Sequence, residues 1–382
     1  MIRSLRLKNF KPFQDQLLQF GRLTLLSGLN STGKSSVLQS LLLLRQSYQQ
    51  GLLPGSGLAL NGDLINVGTA KDAFFQGITK KDLGFDIVFT EDGIQGSWSF
   101  NFDQEVVGNP RNVDFLNLTS PRVAPEVYQS SLFSNKVFHY IQAERIGPRP
   151  FNEVSDYQVR RLGNLGTGGE YTAHFLSIYG REPIADEKLS HPQVTVTDEQ
   201  KSMDLINQVE AWMGEISPGT RLNINPNTDM GLMGLKYSYG GSDRSDAYRA
   251  TNVGFGITYT LPIIVAVLAS KPGTLILIEN PEAHLHPQGQ AKMGEFLSLA
   301  ASCGIQIVME THSDHVLNGI RLAVHGGKLD HKDVQLHYFQ RLVKNRQAVT
   351  EVISPRIDRN GRIDSWPDGF FDEWRKSLAA LI

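Results

Sequence analysis

One octapeptide restricts what this chain can fold into more than any other feature: GLNSTGKS at residues 28–35. It matches the eight-residue phosphate-loop pattern in full, and it stands between a short apolar run and a stretch with helical apolar spacing. The glycines let backbone N–H groups turn toward phosphate oxygens, and a helix N-terminus adds partial positive charge. We therefore predict a strand–loop–helix unit that binds a nucleotide, with Lys34 at the β- and γ-phosphates and the Ser35 hydroxyl on Mg²⁺. An incidental glycine-rich turn is the alternative.

Charge and composition narrow the class of protein. The formal net charge is −2 and 40% of the residues are hydrophobic, which is ordinary for a globular chain and argues against broad electrostatic capture of nucleic acid. The single cysteine, Cys303, excludes an internal disulfide and fits a reducing compartment. No signal-peptide pattern opens the sequence, and the longest apolar run, 261–269, is too short to span a bilayer. We expect a cytoplasmic protein without a membrane segment.

The spacing of apolar residues predicts an α/β protein. Predicted strands lie at 5–10, 17–20, 23–26, 137–141, 274–278, 305–309 and 334–340, with an antiparallel hairpin at 82–102. Predicted helices lie at 34–50, 200–213, 254–270, 290–301 and 314–324. Because strands and helices alternate in the C-terminal part, we expect a mostly parallel sheet with helices on its faces. The more polar stretch at 150–235 is interpreted as an inserted lobe.

Polar residues follow two of these predicted strands. The strand at 274–278 ends at Glu279, and such a carboxylate can hold Mg²⁺ in phosphate-loop ATPases. The strand at 305–309 precedes His312, whose imidazole can hydrogen-bond a γ-phosphate or an attacking water. Upstream, the segment 249–256 places two glycines at a predicted helix start, which is a natural anion site. A loop that merely needs a flexible backbone explains that segment equally well.

In this order, the motifs resemble the ATP-binding-cassette (ABC) ATPases of the non-transporter branch, which includes the RecF-like, chromosome-maintenance and overcoming-lysogenization-defect families. The strings ENPEAHLHP at 279–287, NVGFG at 252–256 and WPDGFFDEW at 366–374 are similar to those of short bacterial AAA ATPases. The resemblance implies an α/β, ABC ATPase head-like P-loop fold with a mixed central sheet, an N-terminal antiparallel β subdomain and an inserted helical lobe. We divide the chain into an N-terminal lobe at 1–145, an inserted mixed and helical lobe at 146–248 and a C-terminal lobe at 249–382.

The resemblance also implies roles for individual residues, with ATP as the nucleotide. The Walker A residues expected to contact it are Asn30, Ser31, Thr32, Gly33, Lys34, Ser35 and Ser36. Further expected nucleotide contacts are Asn9 and Lys11 near the base and ribose, the Q-loop glutamine Gln142, and the signature residues Asn252, Gly254 and Gly256. The expected Mg²⁺ ligands are Ser35, Gln142 and Glu279. His286 corresponds to the D-loop aspartate and His312 to the switch histidine.

One position departs from the family pattern. Glu279 falls where the Walker B aspartate usually lies, and Asn280 falls where the catalytic glutamate usually lies. Because an amide cannot accept a proton as a carboxylate can, water activation by Asn280 is open to question. Glu279 or Glu282 is then the alternative base, with Asn280 positioning the water. The expected catalytic set is Glu279, Asn280, Glu282 and His312, and slow hydrolysis is an expected consequence.

The family resemblance further implies a homodimer across the ATP site, or a higher oligomer, because the signature motif of one subunit closes over the γ-phosphate bound by the other. The leading hypothesis is a magnesium-dependent ABC-type ATPase that serves as a dimeric switch or motor for a separate effector, such as a nuclease, in bacterial antiphage defence. One alternative is a non-hydrolysing, ATP-bound assembly scaffold. Another is a RecF-like DNA-repair clamp that binds DNA in an ATP-dependent manner.

Three smaller features have competing interpretations. Four histidines at metal-ligand spacings are candidates for a transition-metal site, which the ATPase interpretation makes the weaker choice: His284, His286, His312 and His315. Four arginines form either a basic face for nucleic acid or, as we favour, ordinary solvated charge with one arginine near the nucleotide: Arg145, Arg149, Arg160 and Arg161. Four C-terminal aromatic residues are expected to pack together rather than to bind a partner: Trp366, Phe370, Phe371 and Trp374.

Overall fold

The computed structural model describes residues 1–76, 82–90, 93–102, 112–194, 202–227, 229–240, 246–344 and 347–381. Two compact units make up this part of the chain. The first unit comprises Met1–Ser134, Val334–Arg356 and Ile363–Ile382, and the second comprises Asn135–Asp333 and Ile357–Arg362. The first unit is therefore built from both ends of the chain.

This division differs from the three-part division predicted from the sequence. The predicted C-terminal lobe, 249–382, is shared between the two units, because the chain returns to the first unit at Val334. The predicted insert, 146–248, lies wholly within the second unit. Strand pairing between distant segments decides where the units divide. The composition along the chain gives no sign of such pairing.

The elements are numbered in chain order. The strands are β1 (Ile2–Phe10), β2 (Phe13–Gln19), β3 (Leu23–Gly28), β4 (Gly57–Ala59), β5 (Leu83–Phe89), β6 (Gln95–Asn101), β7 (Phe115–Val123), β8 (Phe138–Ile141), β9 (Asn152–Glu153), β10 (Thr220–Asn227), β11 (Leu232–Tyr239), β12 (Tyr248–Arg249), β13 (Leu275–Glu279), β14 (Gln306–Glu310), β15 (Val334–Lys344) and β16 (Gln347–Ile353). The α-helices are α1 (Lys34–Gln49), α2 (Ala70–Ala73), α3 (Thr172–Tyr179), α4 (Leu205–Gly214), α5 (Phe255–Ala269), α6 (Pro287–Ser302), α7 (Asp314–His325) and α8 (Glu373–Leu381). Each strand and helix predicted from the sequence overlaps one of these elements.

An antiparallel sheet with the order β2-β1-β5-β6-β7-β4 forms one layer of the first unit. Alternate residues of the β5–β6 hairpin, including Phe85, Ile87, Trp98 and Phe100, are buried, as a half-buried strand requires. The predicted N-terminal antiparallel β subdomain is therefore confirmed. Two residues of the predicted hairpin turn, 91–92, lie outside the described residues.

A second group of strands in the first unit joins the two ends of the chain. β15 pairs parallel with β3 and antiparallel with β16. β3 is almost wholly buried and leads into α1, whose leucines at 38 and 41–44 are fully buried. This arrangement places the octapeptide between a core strand and a core helix, as its pattern predicts.

The second unit contains a parallel group in which β13 pairs with both β14 and β8. The side chains of residues 275–278 are completely buried, which explains why β13 reads as a continuous apolar run. Helices α5, α6 and α7 alternate with these strands along the chain. α5 is apolar on nearly all sides, and its residues 261–268 are buried.

The inserted segment contains more strand than expected. In addition to α3 and α4 it forms an antiparallel sheet of β10, β11 and β12, and β9 pairs with β11. Buried residues recur at every second position of β11: Met233, Leu235 and Tyr237. The mixed and helical insert expected from the sequence therefore also contains strands that were not among the predicted elements, although β11 has the period of two that indicates a strand.

No helix among the described residues combines the length and the apolar character that crossing a bilayer demands. The buried faces of the longer helices are instead covered by other elements, as in α6 and α7, which pack extensively on each other.

The imidazole of His337 on β15 generates a pH-dependent prediction. It is 2% exposed and lies 2.7 Å from the carbonyl oxygen of Gln19 and 2.8 Å from the Ser354 hydroxyl. Burial lowers the pKa of His337 to about 4, from an ordinary 6.5. Between these values the unfolded chain binds a proton that the folded chain does not, so stability falls as the pH falls.

Between pH 7 and pH 5 the wild-type protein should therefore lose about 2 kcal/mol more free energy of unfolding than His337→Gln does. Urea denaturation of both proteins at several pH values measures this difference. Equal losses in the two proteins would contradict the assignment of the pH dependence to His337.

Candidate functional site

The octapeptide begins where the chain has no room for a side chain. Gly28, the last residue of β3, has φ 140°, and a Cβ there would lie 2.1 Å from the carbonyl oxygen of Phe339 on β15. Only glycine fits this approach, because any Cβ would overlap backbone that cannot move aside. The first glycine of the motif thus turns the chain out of the sheet and fixes where the loop starts.

The octapeptide loop is closed by its own polar groups. The Thr32 hydroxyl donates to the carbonyl oxygen of Leu29 at 2.7 Å, and the Lys34 ammonium lies 3.0 Å and 2.8 Å from the carbonyl oxygens of Gly28 and Leu29. Gly33, with φ 105°, immediately precedes α1. The arrangement presents a lysine charge and the N-terminus of a long helix at one place, which is an anion-binding geometry.

The remaining residues of the predicted Walker A set differ in exposure. Asn30 and Ser31 are exposed, Ser35 is half-buried, and Ser36 is buried in the first turn of α1. A hydroxyl at the start of the helix suits a magnesium ligand, and the exposed tip of the loop suits contact with a ligand.

The β15–β16 hairpin holds the octapeptide loop from outside. The Arg341 guanidinium donates to the carbonyl oxygen of Ser31, and the Thr350 hydroxyl donates to that of Thr32 at 2.9 Å. Both residues lie over 300 positions from the loop in sequence, and no motif marks them. Sequence reasoning missed them because only the parallel pairing of β15 with β3 brings them there.

The turn between β1 and β2 carries Asn9 and Lys11, both in the left-handed region with φ 52° and 51°. The Asn9 side chain donates to the carbonyl oxygen of Asp82 at 2.7 Å, and the Lys11 ammonium donates to the Gln39 side chain on α1. Burial lowers the pKa of Lys11. The structure thus ties Asn9 by a long-range hydrogen bond to the residue before β5, and it places Lys11 beside the helix that follows the octapeptide.

In the second unit, Glu279 ends β13 with both carboxylate oxygens engaged. The Tyr140 hydroxyl lies 3.1 Å from one oxygen, and the backbone N–H of Ala143 donates to the other at 3.1 Å. Burial, with the nearby Glu279 charge, raises the pKa of Tyr140, so this phenol stays a donor. The carboxylate is therefore fixed in orientation and keeps further lone pairs for a cation or water.

Asn280 adopts a left-handed backbone conformation with φ 46°. Its N–H donates to the carbonyl oxygen of Glu310 at 2.8 Å, and its own carbonyl accepts from Ala283 at 3.1 Å. Asparagine tolerates this conformation better than glutamate does. The departure from the family pattern at this position therefore agrees with a sharp turn directly after β13.

Glu282 binds the segment that carries His312. One carboxylate oxygen accepts from the Thr311 hydroxyl at 2.7 Å, and the other accepts from the backbone N–H of His312 at 2.8 Å. The His312 side chain is exposed, and Ser313 caps α7 directly after it. The second unit thus brings Glu279, Asn280, Glu282 and His312 to the ends of two neighbouring parallel strands.

Three further predicted residue groups lie in the second unit. Gln142 directly follows β8, and its side-chain amide donates to the carbonyl oxygen of Glu144 at 3.1 Å. Asn252 is exposed in a short 3-10 turn, and Gly254 immediately precedes α5. A Cβ at Gly256 would lie 2.5 Å from the carbonyl oxygen of His284, so the first turn of α5 approaches that backbone closely.

The histidines do not form a metal centre in the described part of the chain. No group of three or more His, Cys, Asp or Glu side chains there is placed to hold a metal ion. His286 instead accepts from the backbone N–H of Gln288 and caps α6, whereas His284 contacts the rings of Phe255 and Tyr259.

The four arginines are not one basic face, because Arg145 is only 2% exposed. Arg160 pairs with Asp156 at 2.8 Å, and Arg149 is exposed. Of the C-terminal aromatic residues, Phe370 is fully buried and contacts Trp366 and Phe371. Trp374, at 72% exposure, lies outside that cluster on α8, so the packing prediction holds for only part of the group.

Three family models match parts of the sequence. A model described as an AAA ATPase domain matches residues 1–144. One described as "AAA domain, putative AbiEii toxin, Type IV TA system" matches residues 170–318. A third, described as a protein of unknown function (DUF3696), matches residues 329–381. No curated protein matches the sequence. Two of the three matches are thus to models of AAA ATPase domains.

Solved structures of Smc heads share the fold. The crystal structure of the SmcHead bound to the C-winged helix domain of ScpA is 12% identical with a TM-score of 0.52, covering 93% of this chain and 98% of that chain. The Smc head domain with an extended coiled coil bound to the C-terminal domain of ScpA, derived from Pyrococcus furiosus, is 13% identical with a TM-score of 0.50, covering 100% and 99%. At these identities the likeness establishes the predicted fold class, an α/β fold of the ABC ATPase head type.

The contact of Thr350 with the octapeptide loop leads to a binding prediction. Thr350→Val removes the hydroxyl that holds the Thr32 carbonyl, and one such hydrogen bond contributes about 1 kcal/mol. We expect nucleotide affinity to fall about fivefold, measured by titration with a fluorescent ATP analogue. Thr119→Val is the matched control, since the Thr119 hydroxyl also donates to a backbone carbonyl, that of Ser99, but in the β6–β7 pair. An equal loss in both variants would contradict a specific role for Thr350.

Proposed function

We propose that this chain is a magnesium-dependent ATPase that works as a dimeric, ATP-controlled switch for a separate effector protein. The octapeptide loop carries the proposal: a Walker A sequence occupies the strand–loop–helix context that its chemistry requires, with Lys34 at the start of α1. The AAA ATPase matches over residues 1–144 and 170–318 support the same function.

The proposed roles of the acidic turn follow from its hydrogen bonds. Glu279 is oriented by Tyr140 and Ala143, as a residue that holds a cation or its water shell should be. Glu282 has both oxygens on the segment 311–312, so we assign it to positioning His312 rather than to proton abstraction. Asn280 then orients the attacking water without accepting its proton, and hydrolysis is slow.

The residues expected to hold Mg²⁺ offer suitable donors. A serine hydroxyl, an amide oxygen and a carboxylate are hard oxygen ligands of the kind that Mg²⁺ prefers, and Ser35, Gln142 and Glu279 supply them. Held by these residues, Mg²⁺ would supply positive charge that stabilises the negative charge developing during hydrolysis. The chain itself fixes Glu279, and it presents Ser35 at the start of α1.

Dimer formation is proposed because the start of α5 is open to a partner. Asn252 is exposed there, Gly254 precedes the helix, and Phe255 is 54% exposed although it is a large apolar side chain. In the proposed dimer this segment of one subunit meets the ATP phosphates held by the other. Because the ATP phosphates lie between the two subunits in this arrangement, the dimer forms only when ATP is bound.

The proposed biological role is bacterial antiphage defence through a partner protein. The AbiEii toxin description of one matched model is compatible with that role. Both Smc heads that share the fold were crystallised with a ScpA domain, which supports a partner-binding head as a use of this architecture. The effector, for example a nuclease, remains part of the proposal.

A non-hydrolysing scaffold is the second candidate function. The observation in its favour is Asn280, since no carboxylate occupies the position of the usual catalytic base. A scaffold would bind ATP and assemble with no phosphate release. A DNA-repair clamp has less support, because of the arginines considered for a basic face Arg145 is buried and Arg160 is paired with Asp156.

ATP turnover by the purified chain tests the proposal. Lys34→Ala should abolish both tight ATP binding and phosphate release, because the phosphate charge loses its main partner in the loop. Lys271→Ala, an exposed lysine in the turn before β13, is the control and should behave as wild type. Assembly in ATP and Mg²⁺, followed by mass measurement, reports the dimer. Binding and assembly without turnover would favour the scaffold, and no ATP binding would refute both functions.

Asn280→Asp tests the reason for slow hydrolysis. It keeps the size of the side chain, tolerates the left-handed backbone and adds a carboxylate. If the site lacks only a base, turnover should rise by roughly tenfold or more while ATP affinity is unchanged. Single-turnover phosphate release measures the chemical step. Unchanged or reduced turnover would show that another group already activates the water.

A further inference from the structure

Arg145 is a buried charge outside the predicted site residues. It lies in the second unit, four residues after β8, and only 2% of its surface is exposed. The sequence suggested a basic surface residue here, and the structure instead places its guanidinium against backbone carbonyls. A fully buried arginine is rare unless its N–H groups donate hydrogen bonds, so the acceptors of Arg145 indicate its role.

The donors hold the end of β13 and the turn that follows it. One terminal nitrogen of Arg145 donates to the carbonyl oxygen of Glu279 at 2.7 Å and to that of Gln142 at 3.1 Å. The other terminal nitrogen donates to the carbonyl oxygen of Asn280 at 2.6 Å. Two consecutive peptide groups that carry proposed catalytic side chains are thus bound by one guanidinium.

The guanidinium keeps its charge at neutral pH. Burial lowers the pKa of Arg145 to about 10, against the opposing attraction of the Glu282 carboxylate, the Tyr259 phenol and the Glu279 carboxylate. Hydrogen bonds from a charged donor are stronger than neutral ones, and their strength increases in a low-dielectric interior. The two peptide groups are therefore held more firmly than a neutral side chain would hold them.

The turn needs such a restraint. Asn280 has φ 46°, a conformation that the chain adopts only when the surroundings fix it. Its N–H is bound by the Glu310 carbonyl at 2.8 Å, and its carbonyl oxygen by Arg145. Its backbone is thus held on both sides, which sets the direction in which the Asn280 side chain leaves the turn.

Arg145 also touches the helix that begins after Gly254. Its guanidinium carbon lies 5.2 Å from the ring centroid of Tyr259 on α5, within cation–π range. The same tyrosine ring contacts His284 at 4.7 Å between centroids, and His284 contacts Phe255 at 5.5 Å. The first turn of α5 is therefore linked by direct contacts to the turn after β13.

We propose that Arg145 is a positioning residue for ATP hydrolysis, which couples the first turns of α5 to the orientation of Glu279 and Asn280. The inference rests on the proposed ATPase function and adds to it a means by which closure over the helix start reaches the hydrolytic turn. When a partner subunit presses on exposed Phe255, the contacts through His284 and Tyr259 carry the displacement to the guanidinium. The two peptide groups then move with the guanidinium. This movement brings the Asn280 side-chain amide into the position in which it orients the attacking water.

Arg145→Lys is the central variant, because lysine keeps the charge but is a point donor that cannot bind both peptide groups as the planar fork does. Turnover should fall roughly 100-fold, since a shift of about 1 Å in a catalytic group has that effect. The KM for ATP should stay within about twofold, because the octapeptide loop is untouched. Arg149→Lys, an exposed arginine on the same turn, is the matched control and should leave both constants unchanged.

The second arm tests the link to α5. Tyr259→Leu removes the aromatic face and should lower turnover roughly tenfold. Tyr259→Phe restores the ring and should recover most of that loss, which a general packing defect would not show. Thermal unfolding of each variant identifies any that is simply destabilised. Full turnover in Arg145→Lys, or equal losses in both Tyr259 variants, would overturn the proposal.

Hydrogen–deuterium exchange of the nucleotide-free protein tests the role of Arg145 without relying on ATP binding or hydrolysis. Arg145→Lys should raise exchange in residues 279–285 and in the first turns of α5, whereas Arg149→Lys should not. If wild-type protein neither binds nor hydrolyses ATP, the proposed function fails, yet the exchange result still decides whether Arg145 couples the two segments. Unchanged exchange at 279–285 would overturn the coupling even in an active enzyme.

Discussion

The approach of Gly28 to the Phe339 carbonyl oxygen is the constraint on which the first unit depends. It holds because β15, near the C-terminus, pairs parallel with β3, near the N-terminus. One pairing therefore starts the octapeptide loop, brings the hairpin of Arg341 and Thr350 onto the loop, and makes the unit discontinuous in sequence. Any side chain at position 28 would push these strands apart. The position of the loop and the assembly of the unit therefore both depend on this close approach.

A different constraint organises the second unit. Parallel pairing of β13 with β8 and β14 brings the carboxyl ends of three strands to one edge, which is where sites form in such sheets. At that edge, the backbone carbonyl oxygens of Gln142, Glu279 and Asn280 accept hydrogen bonds from one side chain. The buried Arg145 supplies them, and its charge in turn is stabilised by nearby carboxylates and the Tyr259 ring.

The sequence predicted the local parts of this protein well. The motif and the apolar spacing around it predicted a strand before the octapeptide and a helix after it. Both elements are confirmed as β3 and α1. The strands of the antiparallel sheet β9–β12 were not predicted individually, because their alternation lies among polar residues in the mixed insert. The predicted lobe boundaries also differ from the two units, since the return of the chain at Val334 is a long-range event.

Local sequence patterns establish which chemical groups are available: a phosphate loop, a carboxylate at the end of a buried strand, an asparagine after it and a histidine after the next strand. How those groups are held depends on contacts that exist only in the folded chain. Glu282 turned out to bind the His312 segment, and Arg145 turned out to be buried against Glu279 and Asn280. Residue types and their spacing follow from the sequence because they are local. Hydrogen-bond partners follow from strand pairing across long separations, because donors and acceptors satisfy one another only after the chain has folded.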